Sequence, residues 1–141
     1  MRRSASAQWQ GGLKTGKGTL STESGVLSYN PYSFSTRFEH GNGTNPEELI
    51  AAAHAGCFTM ALSAQLEHAG SQAEQLNTTA TVTIEKIETN WTVTSVHLNV
   101  RGKISQGDQA VWDKATAAAK SGCPISKLLN TTITMDAKLE V

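Results

Sequence analysis

The 141-residue chain has no excess of either charge: 12 Lys and Arg face 12 Asp and Glu. A nucleic-acid binder needs surplus cations to displace condensed counterions. Here the longest basic run is the pair Arg2–Arg3, so no nucleic-acid partner is expected. No apolar run reads as the roughly 20 residues a membrane helix requires, and no membrane partner is expected either. The N-terminal stretch MRRSASAQWQ has two arginines but no apolar core behind them, so it does not read as an export signal. Only two cysteines are present, 66 positions apart. They are too few for a disulfide framework and too distant for a CxxC or zinc-knuckle motif. In a reducing cytosol, the compartment expected here, such thiols are either inert core residues or chemically active.

What is present suits one globular domain spanning 1–141. Hydrophobic residues make up 38%, or about 45% when glycine is added and tyrosine left out, the usual share for a folded domain. The first forty residues alternate in strand fashion (Ala5, Ala7, Trp9) between glycine turns. Val26–Leu27 and Tyr32 to Phe38 are further strand candidates. A long helix is predicted from Pro46 to about His68, with Asn45 as N-cap, Glu47 and Glu48 in the first turn and Gly70 as the stop. Two strands follow, one around Leu76 to Glu85 and one around Trp91 to Val100. A parity slip predicts a bulge near Thr94–Ser95. A helix from about Asp108 to Lys120 would bury Val111, Ala115 and Ala118. A short helix from Pro124 to about Asn130 and a last alternating strand, Ile133 to Val141, complete an α+β order. The small-residue face of the long helix (Ala51, Ala52, Ala53, Ala55, Gly56) lets another backbone approach closely. That helix is therefore expected to be central, with some of its packing supplied by a second subunit.

Cys57 lies mid-helix, where it is either a buried core thiol or a nucleophile. An unperturbed thiol is only about 3% ionised at pH 7, and a mid-helix position gains little from the helix dipole. A nucleophilic role therefore needs a nearby cation. Arg37, between aromatics, is the candidate, against the alternative of an ordinary surface arginine. A buried Arg requires a carboxylate. On an ideal helix Glu47 lies about 80° from the face of Cys57 and Glu48 about half a turn away. Glu48 can also serve the Asn45 cap. Glu47 is thus the expected partner of Arg37. His54, three residues before Cys57, is either a base for a Cys/His pair or a hydrogen-bonded structural residue. Cys123 precedes Pro124 at the start of the short helix, a position that lowers a thiol pKa, or it simply caps that helix.

The stretches GKGTLSTESGVL, RFEHGNGTNPEELIAAAHAGCFTMALS and AKSGCPISKLL together resemble the OsmC/Ohr family of thiol-dependent hydroperoxide reductases across essentially the whole chain. The resemblance implies antiparallel β-sheets around a long central helix, in an intertwined homodimer with two active sites at the subunit interface. It implies Cys57 as the peroxidatic cysteine, Cys123 as the resolving one, and Arg37 and Glu47 as the pair that activates the thiolate, with Phe58 and Ile125 lining the pocket. It also implies reduction of organic hydroperoxides, and more weakly of hydrogen peroxide, through a Cys57 sulfenate and a Cys57–Cys123 disulfide in stress defence. An external dithiol of lipoyl type would supply electrons, with no metal, haem or flavin. Two other readings of the residues stand beside this one: a Cys57/His54 hydrolase or transferase, and a non-enzymatic dimer that binds a small ligand or senses oxidants.

Overall fold

The serine–alanine alternation at the N-terminus becomes strand β1 (Ala5–Gln10) of the computed structural model, which describes residues 1–141. The chain forms two compact units, Met1–Leu49 and Ile50–Val141.

In the first unit β1 pairs antiparallel with β2 (Lys17–Thr22), and β2 with β3 (Asn30–Tyr32). Gly18 is obligatory here. A Cβ would lie 2.6 Å from the Trp9 ring and 2.5 Å from the Tyr32 ring. Val26 and Leu27 do not form a strand. Left-handed backbone at Gly25 (φ 77°) and Tyr29 (φ 53°) brackets them, and the Thr22 amide and hydroxyl tie the loop back to Leu27. The strand expected through Phe38 also ends early, at Tyr32. Ser33 closes a capping box with Thr36, which starts helix α1 (Phe34–Phe38). Reciprocal caps satisfy two amides that a strand would have to pair elsewhere. This unit buries no apolar side chain, and all six β1 residues are exposed.

Helix α2 runs Pro46–His68. Asn45 Oδ1 accepts the Glu48 amide at 2.8 Å, as the N-cap reading requires. Gly70 (φ 78°) ends the turn beyond it. In the second unit α2 buries a stripe with a four-residue period: His54, Phe58, Leu62 and Leu66, all fully enclosed. This stripe packs on a sheet of order β4-β5-β6, formed by Ala73–Ile87, Asn90–Ile104 and Thr132–Leu139. Thr59 donates to Thr78 of β4 at 2.8 Å. The expected bulge is present: Thr83 faces Ser95 and Ile84 faces Val93, leaving Thr94 as the extra residue.

Three further expectations need correction. The pair β5–β6 is parallel, not antiparallel. Helices α3 (Gln109–Gly122) and α4 (Pro124–Leu128) intervene between these strands, and a connection of that length can cross over and return in the same direction. The buried stripe of α3 is Trp112, Ala115, Thr116 and Ala119 rather than Val111, Ala115 and Ala118. The large indole takes the core, and Gly102 of β5 leaves room for it, since a Cβ there would lie 2.6 Å from Trp112 Cζ3. Finally, α2 is long and apolar enough to cross a membrane by length and composition, with a mean hydropathy of 1.4 over its best 18-residue window. Small residues raise that average without forming one continuous greasy run. Only 22% of the window is buried within the chain, and a Cβ at Gly56 would meet open space.

Candidate active site

The structure assembles the four predicted site residues as two pairs, one in each unit. In the first unit, α1 carries Arg37 and the first turn of α2 carries Glu47. Arg37 Nε donates to Glu47 Oε1 at 3.0 Å and Oε2 at 3.2 Å, and Nη2 donates to Oε1 at 2.6 Å. Two-point pairing fixes the guanidinium plane as well as its position. Glu47 is 8% exposed, and Arg37 is its ion-pair partner. The choice between the two glutamates is as expected. Glu48 serves the cap region, with its amide on Asn45 and its carboxylate accepting from the Thr44 hydroxyl. Asn45 Nδ2 donates to the Thr36 carbonyl and ties the start of α2 to α1.

In the second unit Cys57 and Cys123 are free thiols, Cys57 half-buried and Cys123 buried. They meet because α2 and the α3–α4 junction pack on the same core. Cys123 continues the α3 stripe four residues after Ala119, and Cys57 lies against that cluster. Each thiol shifts the ionisation of the other. Burial pushes the Cys57 thiol up, as does its donation of a proton toward Cys123; the Ile125 amide opposes this. Burial also pushes Cys123 up, but hydrogen bonding from Cys57, from the Ser126 and Ile125 amides and from the Ser126 hydroxyl outweighs it and brings the thiol down. Cys123 occupies the N-cap of α4 with Pro124 behind it, as expected, and its side chain makes no cap hydrogen bond. The immediate surroundings of the dithiol therefore favour negative charge on Cys123 over Cys57.

His54 is not paired with Cys57. Its Nε2 is hydrogen-bonded to Ser126 Oγ at 2.8 Å, which removes the geometric basis for a Cys57/His54 hydrolase. Burial holds its imidazole below the usual 6.5. Phe58 is a wholly buried core residue, and Ile125 is half-buried beside the cluster. Sequence reasoning missed Ser126, whose hydroxyl is the partner of His54.

An α+β fold carrying two adjacent free thiols on a buried core defines a thiol-based redox protein. Comparison with known proteins makes this specific. The family described as OsmC-like protein matches residues 39–138. The chain is 45% identical over 140 residues to Peroxiredoxin OsmC of Escherichia coli strain K12, covering 99% of this chain and 98% of that protein. It is 31% identical over 104 residues to Organic hydroperoxide resistance protein-like 1 of Staphylococcus epidermidis, covering 72% of each. Among solved structures, the organic hydroperoxide resistance protein OhrB of Bacillus subtilis superposes with TM-score 0.72 at 24% identity, over 97% of this chain and 98% of that one. An OsmC-like protein of Vibrio cholerae gives 0.77 at 17% identity, over 98% and 99%. Those two structures speak for the fold alone. The chain belongs to the OsmC-like family.

The buried neutral His54 has a consequence for stability. Below about pH 6.5 the unfolded chain binds a proton that the folded chain refuses, so stability falls as pH drops from there toward the lowered folded value. Denaturant unfolding at a series of pH values should show this positive slope, and His54→Gln should flatten it. Equal slopes in the two proteins would contradict a buried neutral imidazole.

Proposed function

We infer that this chain is a thiol-dependent peroxidase that reduces organic hydroperoxides. The observation that carries the reading is the pair of adjacent free thiols, Cys57 and Cys123, in a chain 45% identical from end to end to a peroxiredoxin. Cys57 is the peroxidatic residue, Cys123 resolves, and Arg37 held by Glu47 is the cation that makes Cys57 a nucleophile. The whole of 1–141 acts as one functional domain.

The chemistry follows from charge. Left to its surroundings, the dithiol keeps its proton on Cys57. A guanidinium beside Cys57 reverses that preference, since each pKa unit is about 1.4 kcal/mol of preferential stabilisation of the anion. Arg37 suits the task because Glu47 occupies Nε and Nη2 and leaves Nη1 available. The Cys57 thiolate attacks the distal peroxide oxygen, the O–O bond breaks, and the alkoxide leaves against the guanidinium and takes up a proton. The resulting Cys57 sulfenic acid condenses with Cys123 to give a disulfide and water. An external dithiol returns both thiols by exchange. The apolar cluster against Cys57 favours organic hydroperoxides over hydrogen peroxide, and free thiols suit a reducing compartment such as the cytoplasm.

The working form is a homodimer. Two features support it: a first unit that buries no apolar side chain, and an α2 whose apolar window is only 22% buried. A three-stranded sheet without a covered face is not independently stable in water. A second copy is the occupant that would cover both surfaces. Light scattering should give twice the chain mass of 15.0 kDa; a mass of one chain at micromolar concentration would contradict the dimer.

Dithiothreitol-dependent turnover of cumene hydroperoxide tests the chemistry. Wild type turns over and Cys57→Ser does not. The rate of Cys57 oxidation should rise with pH through its thiolate pKa and then level. Arg37→Met should move that rise to higher pH, with about a tenfold loss at neutral pH for each unit moved. Turnover in Cys57→Ser, or an unmoved profile in Arg37→Met, would contradict the assignment.

A further inference from the structure

The loop of residues 39–45 joins the helix that carries Arg37 to the helix that carries Glu47. It contains Asn42–Gly43, the one Asn–Gly pair in the sequence. Every other asparagine precedes proline, a β-branched residue or Trp91. The difference matters because an asparagine side chain can be attacked by the backbone nitrogen of the residue after it. Proline has no N–H to lose, and a bulky side chain shields the nitrogen beside it. Glycine has no Cβ and leaves that nitrogen open.

The structure leaves this pair free to react. Asn42 and Gly43 are both exposed. Neither the Asn42 side chain nor the Gly43 N–H makes a hydrogen bond, so no bond has to break before the two meet. The loop is fastened on either side of them. Gly41 N–H donates to the Ser35 carbonyl at 3.3 Å, and Thr44 N–H donates to the Pro31 carbonyl at 3.0 Å. Position 43 has no alternative to glycine. Its φ is 144°, and a Cβ there would collide with the Pro31 carbonyl oxygen and stand 3.0 Å from Thr36 Cγ2. The fold thus demands the very residue that makes Asn42 labile.

We propose that Asn42 is a site of spontaneous deamidation and isomerisation to isoaspartate, and that this modification weakens the activation of Cys57 by loosening Arg37. The second half rests on the reading of Arg37 as the activating cation. The Gly43 nitrogen gives its proton to solvent hydroxide and bonds to Asn42 Cγ. The bond from Cγ to the side-chain nitrogen breaks, and that nitrogen takes up a proton and leaves as ammonia. The five-membered succinimide then adds water. Opening at the main-chain carbonyl routes the backbone through Cβ and Cγ, which leaves an extra carbon in the main chain and a free carboxylate. Opening at Cγ gives aspartate. Nothing is oxidised or reduced. The extra carbon falls between the two fastened points, so one of them must give. Ser35 lies in α1 with Arg37, and Pro31 lies in β3 just before it. Asn45, next to Thr44, holds the Thr36 carbonyl of α1. Each of these ties helps to place α1, and with it the guanidinium.

Two readouts test this, and the first needs no peroxidase activity. The reduced protein is aged in mildly alkaline buffer and mapped by peptide mass and by enzymatic methylation of isoaspartate. The peptide holding residue 42 should gain the mass of an amide-to-acid exchange and become a methyl acceptor. Asn42→Ala should show neither change. Asn42 is not in left-handed backbone, so alanine fits there. In the second readout the isoaspartate form is separated from the unmodified chain by its added charge. Its Cys57 oxidation should rise at a pH higher by about one unit, a tenfold loss at neutral pH, while equally aged Asn42→Ala keeps the original profile. Retention of the Asn42 amide in the aged folded protein would overturn the site, whether or not the urea-unfolded chain loses it. An isoaspartate form with an unmoved profile would overturn the link to Arg37. If fresh protein consumes no peroxide while Asn42 converts as stated, the peroxidase reading fails and the modification site stands.

Discussion

A single proton shared between two sulfurs is the constraint on which this molecule depends. Cys57 packs against the core cluster that contains Cys123, and each thiol shifts the ionisation of the other. Whatever favours the anion on one thiol keeps the other protonated. The α4 amides and the Ser126 hydroxyl favour charge on Cys123, and burial disfavours it on Cys57. A peroxidase needs the opposite at the moment of attack and this arrangement at the moment of resolution. Under the proposed mechanism a cation moves the charge to Cys57 for the first step. Once that sulfur carries oxygen, the polar groups around Cys123 prepare the second.

This division of labour gives the fold its two dissimilar halves. The second unit has the core: a four-residue stripe on α2, three strands and the Trp112 side of α3 bury Cys123 and leave Cys57 half-buried against them. The first unit has almost no core of its own, and its ion pair is the clamp of Glu47 on Arg37. The guanidinium is held in orientation by the carboxylate and by the Phe38 ring, 5.2 Å from Arg37 Cζ. The uncovered faces of α2 and of the first sheet are what a second copy would bury. Activation of the thiol and assembly would then depend on one another.

Much of this was legible in the sequence because the signals were local. Asn45–Pro46 followed by two glutamates marked the start of α2, and the change of parity at Thr94 marked the bulge. The choice of Glu47 over Glu48 followed from helix geometry and capping. What misled was context. The aromatic, β-prone run Phe34 to Phe38 looks like a strand until the Ser33–Thr36 capping box is recognised. Alternation in β6 cannot say whether its neighbour runs parallel. Ser126 was invisible because its meaning lies in a contact with His54 across 72 residues. No local pattern announces such a contact.

The central claim is that the two thiols are one redox unit, and adding a single equivalent of cumene hydroperoxide to the fully reduced protein tests it most directly. Thiol counting and peptide mass mapping then read the product. The expected result is loss of two thiols per peroxide and an intramolecular Cys57–Cys123 linkage as the only new bond. Survival of the Cys123 thiol, or a linkage joining Cys57 of one chain to Cys57 of another, would contradict it.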